Sequence, residues 1–228
     1  MSEQNKGTTL FVWLIGISVA TTLIANIIAA KLMVVGGLVL PAAVILFPVT
    51  YILSDVLTEV YGYRQSMIAV WLNGITNGLM MLFFGLAIAC PPAPIWDGSE
   101  AFRAVLGTTP RIAVASMVAY LAGDYLNSAS LSAIKRKTHG RHLFLRTIGS
   151  TVIGQAADTG LFIVIAFAGS VPGAVLSQMI WAQYVWKVLY EVIASPLTSV
   201  VVGWVKRVEG IDTYDENVTY SPFNVGMS

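Results

Sequence analysis

Six runs of mostly apolar residues, 10–30, 38–54, 66–89, 112–131, 148–169 and 176–205, occupy nearly all of this chain. A helix needs about 20 such residues to cross the hydrocarbon core of a bilayer, where every backbone N–H and C=O must be satisfied within its own segment. The pattern predicts an all-α integral membrane protein, with a six-helix transmembrane domain over 1–205 and a short polar tail over 206–228. The first run is longer than a signal-peptide core and lacks a convincing small-x-small cleavage site, so it counts as a spanning helix. Only 11% of the 228 residues are charged and the mean hydropathy is +0.75, far from the balance of a soluble domain. A net charge of +1 offers no basic excess for nucleic acid, and the lone Cys90 allows neither an intramolecular disulfide nor a thiolate metal site. No cofactor or metal is expected.

Connections are short except for "CPPAPIWDGSEAFRAVLGTTP" between the third and fourth runs, whose prolines and mixed polarity predict an outer loop with one surface helix. Lysine and arginine in short loops set the orientation. The loop "KRKTHGRHLFLR" carries Lys135, Arg136, Lys137, Arg141 and Arg146, whereas "SVPGAV" carries no charge. The basic loop is therefore expected in the cytoplasm, together with the loop after the second helix, Lys206, Arg207 and both termini. His139 and His142 fall in that loop and read as solvated.

An ionisable side chain at the bilayer centre costs about 2.5 to 3.5 kcal/mol even on insertion scales, so it needs a partner or a wet cavity. Asp124, Asp158 and the pair Lys187 and Glu191 stand inside the last three runs, accompanied by the amides Asn73, Asn77, Gln155 and Gln183. Asn26 reads as lying nearer the outer surface. At about 3.6 residues per turn, Gln183, Lys187 and Glu191 share one helix face, as do Gln155 with Asp158 and Asn73 with Asn77. A rise of about 1.5 Å per residue places Asn77, Asp158 and Lys187 near a common depth at the midplane. A common depth predicts a central cavity for a polar solute, although amides also serve simply as bonds between helices. Lys187 can pair along its own helix with Glu191 or across to Asp158, which has no basic neighbour within a turn and needs another helix, a ligand or a proton. Three carboxylates against one lysine would leave about two excess negative charges, so at least one is expected to hold a proton, a route to proton coupling.

Trp181 reads as an interface residue, whereas Trp186 and Tyr190 sit deeper, where a planar heterocycle can stack for about 1 to 3 kcal/mol if base stacking is a guide. Tyr51 can face the cavity from the second helix. Asp55 and Glu59, one turn apart at the inner mouth and near Arg64, read as a cytoplasmic gate or capping network, with Asp124 a further candidate for gating or proton coupling. Pro48 and Pro196 fall inside the second and sixth spans, where each removes a backbone bond and can kink the helix.

The stretch "FPVTYILSDVLTEVYGYRQS" at 47–66 resembles the signature of the queuosine precursor transporter family, the vitamin uptake group. Further matches follow in order: "ANIIAAKL" from Ala25, "GQAADTGLFIVIAF" from Gly154, "WKVLYEVIASP" from Trp186 and "GIDTYDENVTYSPF" from Gly210. The resemblance covers nearly the whole chain. It implies a bacterial inner-membrane importer of 7-cyano-7-deazaguanine or related 7-deazaguanines for making queuosine in tRNA. It also implies a six-helix fold related to the vitamin-binding subunits of energy-coupling-factor importers. A deazaguanine presents N1–H and an exocyclic amine as adjacent donors to one carboxylate, and O6 as an acceptor for an amide or ammonium. Asp158 or Glu191 would take the first role, Gln155 or Lys187 the second, and Glu191→Gln is expected to abolish uptake.

The expected partners are thus the small-molecule 7-deazaguanine and the lipid bilayer, with no nucleic acid. The leading expectation is a transporter that works by alternating access, alone or as a homo-oligomer. The alternative is a substrate-binding subunit of an ATP-driven importer, for which the small residues Ala25 and Ala29 offer a docking face to an energy-coupling partner. An intramembrane aspartyl protease built on Asp124 and Asp158 is disfavoured. Its glycine-flanked motif is absent, no HExxH or nucleophile elbow occurs, and neither histidine lies in a span.

Overall fold

The computed structural model describes residues 3–35, 38–107, 110–216 and 218–223. Among these, the helices are α1 (Glu3–Ile28), α2 (Phe47–Tyr61), α3 (Tyr63–Ala89), α4 (Ser99–Leu106), α5 (Pro110–Lys137), α6 (Leu143–Phe167) and α7 (Gly173–Glu209). Five of the six apolar runs contribute one long helix each, and α4 is the surface helix of the loop between the third and fourth runs, with no buried residue. Thr9–Ile28 of α1, together with α3, α6 and α7, are long and apolar enough to cross a membrane. Large apolar side chains such as Trp13, Phe83, Ile193 and Val200 lie on the outside of the bundle, where lipid rather than water suits them. The protein is a multi-pass membrane protein.

The second apolar run is not the continuous helix expected over 38–54. Leu38–Pro41 forms a strand, β2, paired antiparallel with β1 (Leu32–Val35) so that Leu32 faces Pro41. A 3-10 turn at Ala42–Ile45 follows, and α2 begins only at Phe47. The local cause is readable: β-branched Val34, Val35 and Val39 flank the Gly36-Gly37 pair, a sequence that favours a hairpin over a helix. The 15 residues of α2 therefore reach only about 22 Å. Pro48 falls in the first turn of α2, where no backbone bond is lost, so the kink expected there does not arise.

The stretch expected as a loop after the second helix is helical instead. α2 runs on to Tyr61, and Gly62 alone joins it to α3, with φ of 87°. Any Cβ at that position would lie 2.8 Å from Thr213 Cγ2, so both the conformation and the space demand glycine. Pro196 does lie inside α7, as expected, and the Val192 carbonyl that it deprives of a bond accepts one from Ser195 Oγ at 3.3 Å.

The most extensive packing is between α5 and α6. These helices cross at Gly123 and Gly154, where a Cβ on Gly154 would stand 2.8 Å from the Gly123 carbonyl oxygen and 2.8 Å from Asn127 Cβ. Small residues at such a crossing let backbones approach where side chains would hold them apart. One apolar core joins Val56, Leu57 and Val60 of α2 to Val202 and Val205 of α7. A second sets Tyr63, Met67 and Val70 of α3 against Leu121, Tyr125 and Tyr220. Tyr220 belongs to the tail, which is strapped to the bundle: Asp215 Oδ2 accepts from Tyr63 N at 3.0 Å and from Ser132 Oγ, and Trp71 Nε1 donates to the Pro222 carbonyl at 2.6 Å.

Candidate functional site

Six helices, α1, α2, α3, α5, α6 and α7, surround a cavity of about 650 Å³. Its α6–α7 wall carries the ion pair in which Lys187 Nζ donates to Asp158 Oδ2. Both side chains remain partly accessible, at 18% and 23%, so the pair looks into the cavity rather than into packed protein. Gln155 precedes Asp158 by about one turn, and Gln183 and Trp186 flank Lys187 on the same lining. The glycine crossing sets this geometry: a Cβ on Gly123 would lie 2.6 Å from Asp158 Cβ, so α5 closes directly behind the carboxylate.

The opposite wall is a ladder of amides between α1 and α3. Asn26 Nδ2 donates to Asn77 Oδ1 at 2.5 Å, Asn77 Nδ2 to the Asn73 carbonyl at 2.8 Å, and Asn73 Nδ2 to Ser18 Oγ at 3.1 Å. Between the walls stand α2 and α5. Asp124 accepts from Ser54 Oγ at 2.9 Å and from Tyr120 OH at 3.0 Å, while Asn127 Nδ2 reaches Asp55 Oδ1 at 3.4 Å. Tyr51 lines the cavity beside them. Asp124 and Asp158 thus have separate partners and do not form the shared-proton dyad that an aspartyl protease requires.

Of the residues expected to meet, Asn73, Asn77, Gln155, Asp158, Gln183, Trp186, Lys187 and Tyr51 share the lining, as do Asp55 and Asp124. Glu191 and Tyr190 lie outside it, and Glu191 is buried at 1% exposure. Glu59 is elsewhere. Its Oε1 accepts from Arg146 Nη2 at 2.5 Å and Lys206 Nζ at 2.8 Å, with Lys135 Nζ at 3.6 Å. Arg64, the cation expected near Glu59, is not among these partners. Lys135 and Arg146 accordingly are not the exposed loop cations that their sequence context implied: they are 3% and 1% exposed because a buried carboxylate holds them. Asp212 of the tail closes the cluster, 2.5 Å from Lys135 Nζ and 2.9 Å from Lys206 Nζ. Partial burial pushes its carboxyl up, but the hydrogen bonds from the two lysines outweigh that and hold it below the ordinary aspartate value.

Ala25 and Ala29 also line the cavity. Sequence reasoning set Asn26 aside and overlooked Ser54, Tyr120 and Asn127. The signal was present: Ser18, Thr22 and Asn26 recur at steps of four along α1, and Tyr120, Asp124 and Asn127 at four and three along α5, each a single polar face on a helix in lipid.

Comparison with known proteins gives a consistent result. The family described as "Putative vitamin uptake transporter" matches residues 41–201. A protein of Bacillus subtilis (strain 168) named "Probable queuosine precursor transporter" is 32% identical over 188 residues, which span 82% of this chain and 80% of the relative. No solved structure gives a significant match.

Proposed function

The chain belongs to the "Putative vitamin uptake transporter" family and is a membrane transporter, not an enzyme, and on that premise we propose that it imports a 7-deazaguanine precursor of queuosine across the bacterial inner membrane. The observation that carries this reading is the Asp158–Lys187 pair, an anion and a cation side by side on a cavity wall next to an amide and an indole. Asp158 accepts N1–H and the exocyclic amine of the base, Lys187 or Gln155 donates to O6, and Trp186 stacks on the ring for about 1 to 3 kcal/mol. Asn73, Asn77, Gln183 and Tyr51 shape the rest of the pocket. A cavity of about 650 Å³ lies in the range of small-molecule sites and leaves room for water around a single heterocycle.

Counting α2 and α5 as crossings, the chain spans the membrane six times with both termini in the cytoplasm, the side that the basic residues of 135–146 and 206–207 prefer. Alternating access follows from rocking of α2 and α7 about the cavity, with protons as the driving ion. The test is queuosine content of tRNA in cells unable to make the deazaguanine core, grown with 7-cyano-7-deazaguanine, its aminomethyl form or queuine, with and without this protein. The expected result is queuosine that depends on the protein for at least one of the three bases; equal queuosine in its absence refutes the reading.

A further inference from the structure

One turn along α7 from Lys187, Glu191 is 1% exposed, and neither of its carboxylate oxygens has a hydrogen-bond partner among the described residues. Asp55 on α2 is as deeply buried. Its Oδ1 receives one long bond, from Asn127 Nδ2 at 3.4 Å, and its Oδ2 receives none. The two carboxyls stand on α2 and α7, helices that pack against each other through Val56, Val60, Val202 and Val205, and the charge of one acts on the other. Two further unpartnered atoms on α5 and α6, Asn127 Oδ1 and Gln155 Oε1, are also acceptors.

Among the described residues no cation pairs with these carboxyls. Glu59, one turn from Asp55, is held by Arg146 and Lys206; Asp124 accepts from Ser54 and Tyr120; and Asp158 already engages Lys187. Tyr51 of α2 and Tyr190 of α7 offer phenols rather than cations, and the cavity faces of α1 and α3 carry only hydroxyls, amides and apolar groups. An unpaired buried ion costs several kcal/mol, and a like charge beside it adds to that cost. One proton relieves both problems, because it cancels a charge and supplies a donor where only acceptors stand.

We propose that Asp55 and Glu191 share one exchangeable proton and form the coupling site of the transporter, separate from the Asp158–Lys187 pair that takes the substrate. The inference rests on the importer reading. An O–H bond forms when a proton arrives from solvent through the cavity that Asp55 lines, and the same bond breaks when the proton leaves on the other side; no other bond changes. The two carboxyls sit on different helices, so occupancy acts on their packing: the shared proton holds α2 to α7, and its loss drives them apart by repulsion. That is a two-state element which a proton biases, as alternating access requires.

Liposomes that contain only this protein provide the test. With acid outside, the wild type is expected to accumulate 7-cyano-7-deazaguanine and to acidify the lumen in step. Glu191→Gln and Asp55→Asn are each expected to lose gradient-driven accumulation and the linked acidification while still exchanging labelled for unlabelled base. Accumulation by either variant equal to wild type, or accumulation that follows sodium instead, overturns the coupling site and leaves the substrate reading intact. Wild type that accumulates no deazaguanine but still shows the proton signature below sinks the substrate reading alone. That signature is independent of substrate: infrared spectroscopy of the purified chain at neutral pH is expected to show a protonated-carboxyl stretch that either variant removes or shifts. Its absence from wild type overturns the proposal.

Discussion

Arg146 Nη2 lies 2.5 Å from Glu59 Oε1, though 87 residues separate the two and both side chains are withdrawn from solvent. The contact joins α6 to α2, and Lys206 adds α7 to the same carboxylate oxygen. Glu59 is thus the hub that fixes three helices at one end of the bundle.

Removing that hub leaves Arg146, Lys135 and Lys206 facing one another with only Asp212 to answer them. Glu59→Gln is expected to cost about 3 to 5 kcal/mol, the range for a broken buried pair. Arg146→Met is expected to cost less, because Lys206 and Lys135 remain beside Glu59. The double variant should be more stable than the sum of the single losses predicts. Thermal unfolding of the purified proteins in detergent measures all three.

Lys187 and Asp158 are partly accessible, so water or ligand softens the loss of either. Asp158→Asn and Lys187→Met are expected to lower deazaguanine affinity about tenfold or more, equivalent to about 1.4 kcal/mol each, with stability changed by less than the Glu59 hub requires. Titration calorimetry on the purified variants checks this, and undiminished binding by both would remove the pair from the substrate site.

Gly154 tests the helix crossing that backs Asp158. A methyl group there would meet Asn127 Cβ and the Gly123 carbonyl oxygen, each at 2.8 Å, and part α5 from α6. Gly154→Ala is expected to cost about 1 to 3 kcal/mol, as overpacking does, and to weaken substrate binding although it touches no ligand. Gly160→Ala, on the same helix with open space around it, is expected to do neither.

Acidification tests the tail. The Asp212 carboxyl is held below its ordinary value by Lys135 and Lys206, so its contribution is fully present above the unfolded pKa and is lost as pH falls through the folded one. Stability should decline from about pH 4 downward, and Asp212→Asn should flatten that decline. Because the side chain is 43% exposed, solvent screening keeps the effect below about 1 kcal/mol. Unfolding midpoints across pH at constant ionic strength provide the measurement.

Helices α1, α3, α5, α6 and α7 are legible from apolar length alone, because a chain in hydrocarbon has few ways to satisfy its backbone. The break in the second run is not legible in that way, since a short apolar stretch suits a strand as well as a helix; the valines beside Gly36-Gly37 were the only warning. Polar stripes pointed to the cavity for the same reason that they are costly in lipid. The helical period also grouped Glu191 with Lys187 on one face, correctly for the helix, yet the cavity lining stops short of that turn.

What the amino-acid order determined by itself is therefore one-dimensional: which segments form long apolar helices, and which side chains share a face on each of them. The tertiary structure decided the partners. Lys187 meets Asp158 across a helix interface rather than Glu191 along its own helix, and Glu59 meets Arg146 and Lys206 rather than Arg64. Helical spacing governs neighbours within a helix, whereas pairing between helices depends on how closely and at what level two backbones cross. That was set by glycines 123 and 154, and by the one-residue link at Gly62, through contacts with no signature in local sequence.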